Sequence, residues 1–104
     1  MSSDISPVSI PVPAEVLIRI PPNLRSLTGD QEEVKAKGTT VRAVFTALET
    51  QFPGLHDRIF DQDGRLRRFV LLALNDEFLD AEQGLDAELG AGDQISILPA
   101  LAGG

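Results

Sequence analysis

Thr40-Val41-Arg42-Ala43-Val44-Phe45-Thr46-Ala47-Leu48-Glu49-Thr50-Gln51-Phe52-Pro53-Gly54 is the stretch on which the fold turns. Val41, Val44, Phe45, Leu48 and Phe52 recur at helical spacing and form one apolar stripe. Thr39 or Thr40 can supply the N-cap oxygen. Pro53 cannot continue the ladder and Gly54 favours a sharp stop, so the helix runs from about Val41 to Phe52. A ring as large as Phe45 on the stripe implies that the helix covers a sheet.

Moving toward the N-terminus, Glu32 to Lys37 alternates, with Val34 and Ala36 facing inward. Its charged residues suit an edge strand, where they discourage wrong pairing. Leu24 to Thr28 is expected to form a loose turn before Gly29 and Asp30. Glu15 to Ile20 reads as the first strand, with Val16, Ile18 and Ile20 on one face and Leu17 and Arg19 on the other. Pro21 and Pro22 stop it. Residues 1–13 carry Ser2, Ser3, Ser6, Pro7, Ser9, Pro11 and Pro13 and are expected to be a flexible leader. Val8, Ile10 and Val12 alternate, so a short edge strand is the alternative there.

Moving toward the C-terminus, Leu55 to Phe60 can continue as a short helical turn. Asp61 to Gly64 is a polar loop. Arg68 to Leu74 is then almost wholly apolar, which suits a central strand covered on both faces. Asn75 and Asp76 supply turn chemistry. Phe78 to Asp80 can return as a short strand, and Leu85 and Leu89 can share a brief helical turn. Gln94 to Leu98 is the last strand, with Ile95 and Ile97 inward, and Pro99 ends it. The order is strand, strand, helix, strand, short elements, strand. A first hairpin followed by a helix crossing to a central strand is an α+β arrangement of the β-grasp kind. It is a mixed sheet of four to five strands on one main helix. Periodicity alone also allows other small α+β folds. The expected domain spans residues 14–99, with a flexible tail at 100–104.

Composition narrows the function. The 104 residues suit one domain, and 42% hydrophobic residues are enough for one core. A net charge of −7 argues against a nucleic-acid binder, which needs clustered Lys and Arg to meet phosphates. The chain has no cysteine, so neither a disulfide framework nor a thiolate nucleophile is available. No apolar run approaches the ~20 residues of a membrane span, and no secretory signal pattern opens the chain. A cytoplasmic location is expected.

Several short signals carry no chemistry. Asp61-Gln62-Asp63-Gly64 lacks the later ligands and closing Glu of a calcium loop. Gly90-Ala91-Gly92 is not followed by a helix, so it is no dinucleotide site. His56, the only histidine, has no nucleophile at triad spacing and reads as a surface residue. Asp76, Glu77, Asp80 and Glu82 read as a solvated edge. No metal site, cofactor site or catalytic constellation is expected.

Three motifs carry a resemblance. The ending Ile97-Leu98-Pro99-Ala100-Leu101-Ala102-Gly103-Gly104, the turn Leu89-Gly90-Ala91-Gly92-Asp93-Gln94-Ile95, and Asn75-Asp76 after an apolar strand resemble the MoaD/ThiS family of ubiquitin-like sulfur carriers. The likeness spans roughly residues 15 to 104. Arg68-Phe69-Val70 before Asn75-Asp76-Glu77, with the Leu-Pro-Ala-Leu-Ala-Gly-Gly end, is most similar to the carriers that feed sulfur to cysteine biosynthesis.

The resemblance implies that the carboxylate of Gly104 is the working group. A carboxylate is a poor acyl donor until ATP converts it to an acyl-adenylate. The adenylating enzyme must admit the chain end through a narrow channel. Gly103 and Gly104 lack a Cβ and let the backbone approach closely. Ala102 and Ala100 keep the segment slim, and Leu101 is the expected anchoring side chain. At ~3.5 Å per extended residue, the five residues after Pro99 reach on the order of 17 Å. Sulfide then displaces AMP and leaves a thiocarboxylate, as does a persulfide once a second thiol has cleaved its S–S bond.

Phe69, Leu71 and Ala73 alternate with Val70, Leu72 and Leu74. If the helix covers the second set, the first set lies on the opposite face, which in related carriers docks the partner enzymes. The other expectation for Phe69 and Leu71 is cover from the leader or from the loop around Phe60. The implied partners are an E1-like adenylating or sulfurtransferase enzyme that uses ATP, a PLP-dependent cysteine synthase and a zinc metallopeptidase. The carrier itself is expected to bind no cofactor and to act as a protein co-substrate rather than an enzyme. Other readings are the small subunit of molybdopterin synthase docked to its large subunit, a protein modifier joined through Gly104, and an inert β-grasp module. A thiazole-forming carrier fits less well because such carriers are usually shorter. The only lysines, Lys35 and Lys37, argue weakly against polymeric tagging.

Overall fold

A computed structural model describes residues 13–81 and 83–99. Residues 1–12 of the expected 1–13 leader, the tail over 100–104 and Glu82 lie outside the described residues. Five strands form one mixed sheet: β1 (Ala14–Arg19), β2 (Glu33–Gly38), β3 (Val70–Leu74), β4 (Glu77–Phe78) and β5 (Gln94–Pro99). Their spatial order is β2-β1-β5-β3-β4. Helix α1 (Val41–Gln51) packs on one face, and the short helix α2 (Leu55–Ile59) follows it. This is the β-grasp arrangement.

The helix forms where the apolar stripe sits. Thr40 is the N-cap, and its hydroxyl accepts the Ala43 N–H at 3.1 Å. Val41, Val44, Phe45 and Leu48 are buried. Burying each such side chain contributes roughly 1.5–3 kcal/mol. Phe45 meets Phe60 edge to face, with centroids 5.5 Å apart. The corner into α2 is closed by Glu49, whose carboxylate accepts the N–H groups of Gly54 and His56, each at 3.0 Å. Those two donors hold the Glu49 carboxyl below the usual range. Gly54 takes φ +96° at this corner, a conformation that side chains resist.

Sheet strands bury one face against α1. Val16 and Ile18 from β1, Val34 and Ala36 from β2, Leu72 from β3, and Ile95 and Ile97 from β5 make the sheet side of the core. β2 is an edge strand, as its charges suggest, and it pairs antiparallel with β1 over its whole length. It runs one residue further than expected, to Gly38, which pairs with Ala14. A Cβ on Gly38 would sit 2.7 Å from the Val44 nitrogen, so glycine permits the close pass of strand against helix.

Four expectations need correction. The segment after β1 is a seven-residue 3-10 helix over Pro22–Thr28, not a loose turn. It is ordered because it contributes Leu24 to the core and buries Thr28, whose Oγ1 lies 2.9 Å from the Gln31 carbonyl oxygen. β3 is neither central nor covered on both faces: β5 takes the centre by pairing parallel with β1 and antiparallel with β3. Leu71 accordingly stays 41% exposed. His56 is half-buried rather than on the surface, because its ring lies against Phe60 with centroids 4.7 Å apart. Of Leu85 and Leu89, only Leu85 is on the short 3-10 turn (Gly84–Asp86), where it is buried. No helix among the described residues is long and apolar enough to cross a membrane.

Candidate functional site

Strand β5 fixes the origin of the chain's last residues. Its first half is held on both sides, by β1 at Gln94–Ser96 and by β3 from Ile95 onward. The β3 pairing continues to Val70 opposite Pro99. The expected site residues Leu101, Ala102, Gly103 and Gly104 lie outside the described residues, so the geometry is that of the base from which they start.

The start of β5 is clasped by two of the quoted motifs. Asn75 and Asp76 both take positive φ, +50° and +75°, as the two-residue turn between β3 and β4. Such primed turns match the twist of a hairpin. Asn75 Nδ2 donates to Asp93 Oδ1 at 3.0 Å, and Asn75 Oδ1 accepts the Gln94 N–H at 2.9 Å. Asp93 Oδ2 accepts the Gly90 N–H at 2.8 Å. The Asp93 carbonyl accepts the Leu17 N–H at 3.1 Å. The Asn75-Asp76 turn and the Gly90–Asp93 turn are therefore one hydrogen-bonded unit, which sets the register of β5 against β3 and β1.

The Gly90 N–H, and then Asn75, hold the Asp93 carboxyl below its usual range. A folded-state pKa below the unfolded value gives stability that is present above the unfolded pKa and is lost as pH falls through the folded one. Asp93→Asn is therefore expected to destabilise the protein at neutral pH. The gap between variant and parent should narrow as pH drops below about 4. Urea unfolding at several pH values reads this directly, and a gap that stays constant into acid would rule out the linkage.

The outer face of the sheet is the second component. Phe69, immediately before β3, is 54% exposed and Leu71 is 41% exposed. Val70 and Leu74 pack against the core and Leu72 is buried, so the alternation divides as expected. The loop around Phe60 does not cover Phe69 and Leu71, because Phe60 itself is buried in the core. Ala73 shares the face but is buried, between Phe78 on β4 and Ser96 on β5 by register. It is a spacer in the patch rather than a contact.

The patch has members that the sequence reading missed. Phe78, 70% exposed, stands opposite Ala73. Leu98 stands opposite Leu71. Both were recoverable. A two-residue Asn75-Asp76 turn pairs Leu74 with Glu77 and hence Ala73 with Phe78, and Leu98 is out of phase with the inward Ile95 and Ile97. Phe69, Leu71, Phe78 and Leu98 form an apolar surface that runs to the end of β5.

The set-aside calcium-like loop is closed on itself. Asp61 Oδ1 accepts the N–H groups of Asp63 (2.9 Å) and Arg65 (3.0 Å). Among the described residues, no group of three or more His, Cys, Asp or Glu could hold a metal.

Residues 18–104 match the ThiS family. The chain is 42% identical over 91 residues to the sulfur carrier protein CysO of Mycobacterium tuberculosis, covering 86% of this chain and 98% of that protein. Among solved structures, it is similar to a chain of the Amycolatopsis orientalis BexX/CysO complex, with TM-score 0.77 and 39% identity over 86% of this chain and 99% of that one. It is also similar to the small archaeal modifier protein 1 of Methanosarcina acetivorans, with TM-score 0.74 and 29% identity over 89% of this chain and 99% of that one.

Proposed function

This chain belongs to the ThiS family, and from that premise we propose that it is a sulfur carrier that delivers sulfur for cysteine biosynthesis through a thiocarboxylate on Gly104. The observation that carries the reading is the juxtaposition at Pro99. The pinned strand β5 ends there, beside an exposed apolar face, and the chain runs on to Ala100-Leu101-Ala102-Gly103-Gly104. A partner that takes up the segment can rest on that face. Similarity to a sulfur carrier over nearly its whole length supports the same reading.

The chemistry follows in balanced steps. The Gly104 carboxylate attacks the α-phosphorus of ATP on the adenylating enzyme, and pyrophosphate leaves. Sulfide, or the terminal sulfur of a persulfide, adds to the acyl carbon. AMP leaves, because a phosphate monoester is a far better leaving group than hydroxide. A persulfide donor then needs a second thiol to release the carrier. The thiocarboxylate sulfur would add to the β-carbon of an aminoacrylate supplied by a cysteine synthase, whose PLP would provide the electron sink, while a proton goes to the α-carbon. Once a lysine of the synthase has displaced the product, its free amine would take the acyl group from sulfur and leave cysteine amide-linked to Gly104. A zinc metallopeptidase hydrolyses that amide. The described residues contribute docking and register, and the activation groups belong to the partners.

Intact-mass measurement tests this. The chain, incubated with a family adenylating enzyme, ATP and a sulfur donor, should gain the mass difference between sulfur and oxygen. It should then gain one cysteine residue when a cysteine synthase and its substrate are added. No exchange of oxygen for sulfur refutes the carrier reading. Exchange without cysteine addition, together with sulfur transfer to a pterin precursor, favours a molybdopterin synthase subunit. High-mass conjugates favour a modifier, a reading supported by the likeness to the archaeal modifier.

A further inference from the structure

Pro21 and Pro22 end β1 early, and the sheet records the consequence. The parallel pairing of β1 with β5 stops at Arg19 opposite Ser96, so Ile97 to Pro99 have a strand neighbour only on the β3 side. The space left on the other side is a pocket of about 280 Å³, lined by Pro21, Arg58, Arg67, Phe69, Leu98 and Pro99 among others. It adjoins the exposed apolar face through Phe69 and Leu98.

Its charge is opposite to that of the chain. The protein carries −7 overall, yet Arg58, Arg65, Arg67 and Arg68 are four of its nine Lys and Arg residues. Two of these four line the pocket. Arg67 Nε donates to the Asp57 carbonyl at 2.6 Å. The Arg58 side chain makes no hydrogen bond or ion pair among the described residues. A free guanidinium beside a Phe ring and a Leu suits a planar carboxylate carried next to an apolar side chain. An acidic partner surface would be repelled by most of this molecule, so a local cationic pocket selects where it lands.

We propose that the pocket beside Pro99 receives an acidic peptide segment of the adenylating enzyme, a carboxylate meeting Arg58 and Arg67 and an apolar neighbour meeting Phe69 and Leu98. The proposal rests on the carrier reading for the identity of the partner. It aligns that enzyme over the base of the segment it must take up, so that docking and threading of the chain end are one event.

Two measurements test it. In the first, ¹⁵N-labelled full chain is titrated to millimolar concentration with a blocked tetrapeptide bearing two central carboxylates between leucines, and with its amide counterpart. The acidic peptide should shift the amides of Arg58, Arg67, Phe69 and Leu98, less so as salt rises. The amide peptide should not, and Arg58→Glu should lose the response. Equal shifts from both peptides, or none at these amides, overturn the proposal, whatever happens at Gly104. In the second, Arg58→Glu should lower the rate of sulfur incorporation at limiting carrier about tenfold, with recovery at high carrier concentration. Arg58→Lys should fall between variant and parent. A folded Arg58→Glu variant that is charged at the parent rate also overturns the pocket, while leaving the carrier reading intact.

Discussion

Deletion of Gly104 is expected to abolish thiocarboxylate formation while leaving the unfolding midpoint unchanged. The new carboxylate, on Gly103, starts ~3.5 Å short along an extended chain. In-line attack needs the reacting atoms within about 3–3.5 Å, and a misplacement near 1 Å already costs on the order of 10²-fold. A shortfall of a whole residue therefore exceeds what small adjustments can absorb. Stability should not change, because among the described residues the buried core runs from Val16 to Ile97. Intact mass after incubation with enzyme, ATP and sulfur donor reads the first half, and a urea transition reads the second. Charging of the truncated chain at the parent rate would show that Gly104 is not the working residue. A lowered midpoint would show that the chain end contributes to the fold.

The second large effect separates two neighbouring residues. Leu71 and Leu72 are adjacent on β3 but point to opposite faces: Leu71 is 41% exposed and Leu72 is 1% exposed. Leu71→Glu introduces a charge on the outer face without opening the core. It should leave the urea midpoint nearly unchanged. If the face docks the adenylating enzyme, loss of a central apolar contact and burial of a charge should weaken productive binding by ~2 kcal/mol or more, roughly 30-fold. The loss should appear as a raised carrier KM, with kcat retained at saturation. Leu72→Ala should do the reverse. Truncation in the core beside Ile97 costs about 2–5 kcal/mol of stability, and protein that remains folded should still be charged normally. If Leu71→Glu is charged with an unchanged KM, the outer face does not serve that partner. Phe78→Glu then discriminates a second acceptor from the first, since Phe78 sits at the far end of the patch from Pro99.

Much of this architecture is legible before any coordinates. The α1 stripe, the Thr40 cap and the stop after Phe52 are encoded within a few turns of helix. The division of β1 and β2 into inward and outward residues follows from a period of two. The pairing of Phe78 with Ala73 was also encoded, in the length of the Asn75-Asp76 turn, and needed only the hairpin register to be carried one step further. The apolar run Phe69 to Leu74 was harder. Residues apolar on both faces of a strand fit two-sided burial and fit one-sided burial with a docking surface equally well. Composition does not separate the two.

Local chemistry in the chain thus determined where helices and strands begin and which side chains turn inward, because each depends on neighbours a few residues apart. Tertiary structure decided that β5 and not β3 is central, that Asn75 clasps Asp93, and that Arg58 and Arg67 line one pocket with Pro99. Those arrangements bring together residues distant in sequence. Their existence depends on how the sheet closes around α1, which no short window of residues specifies.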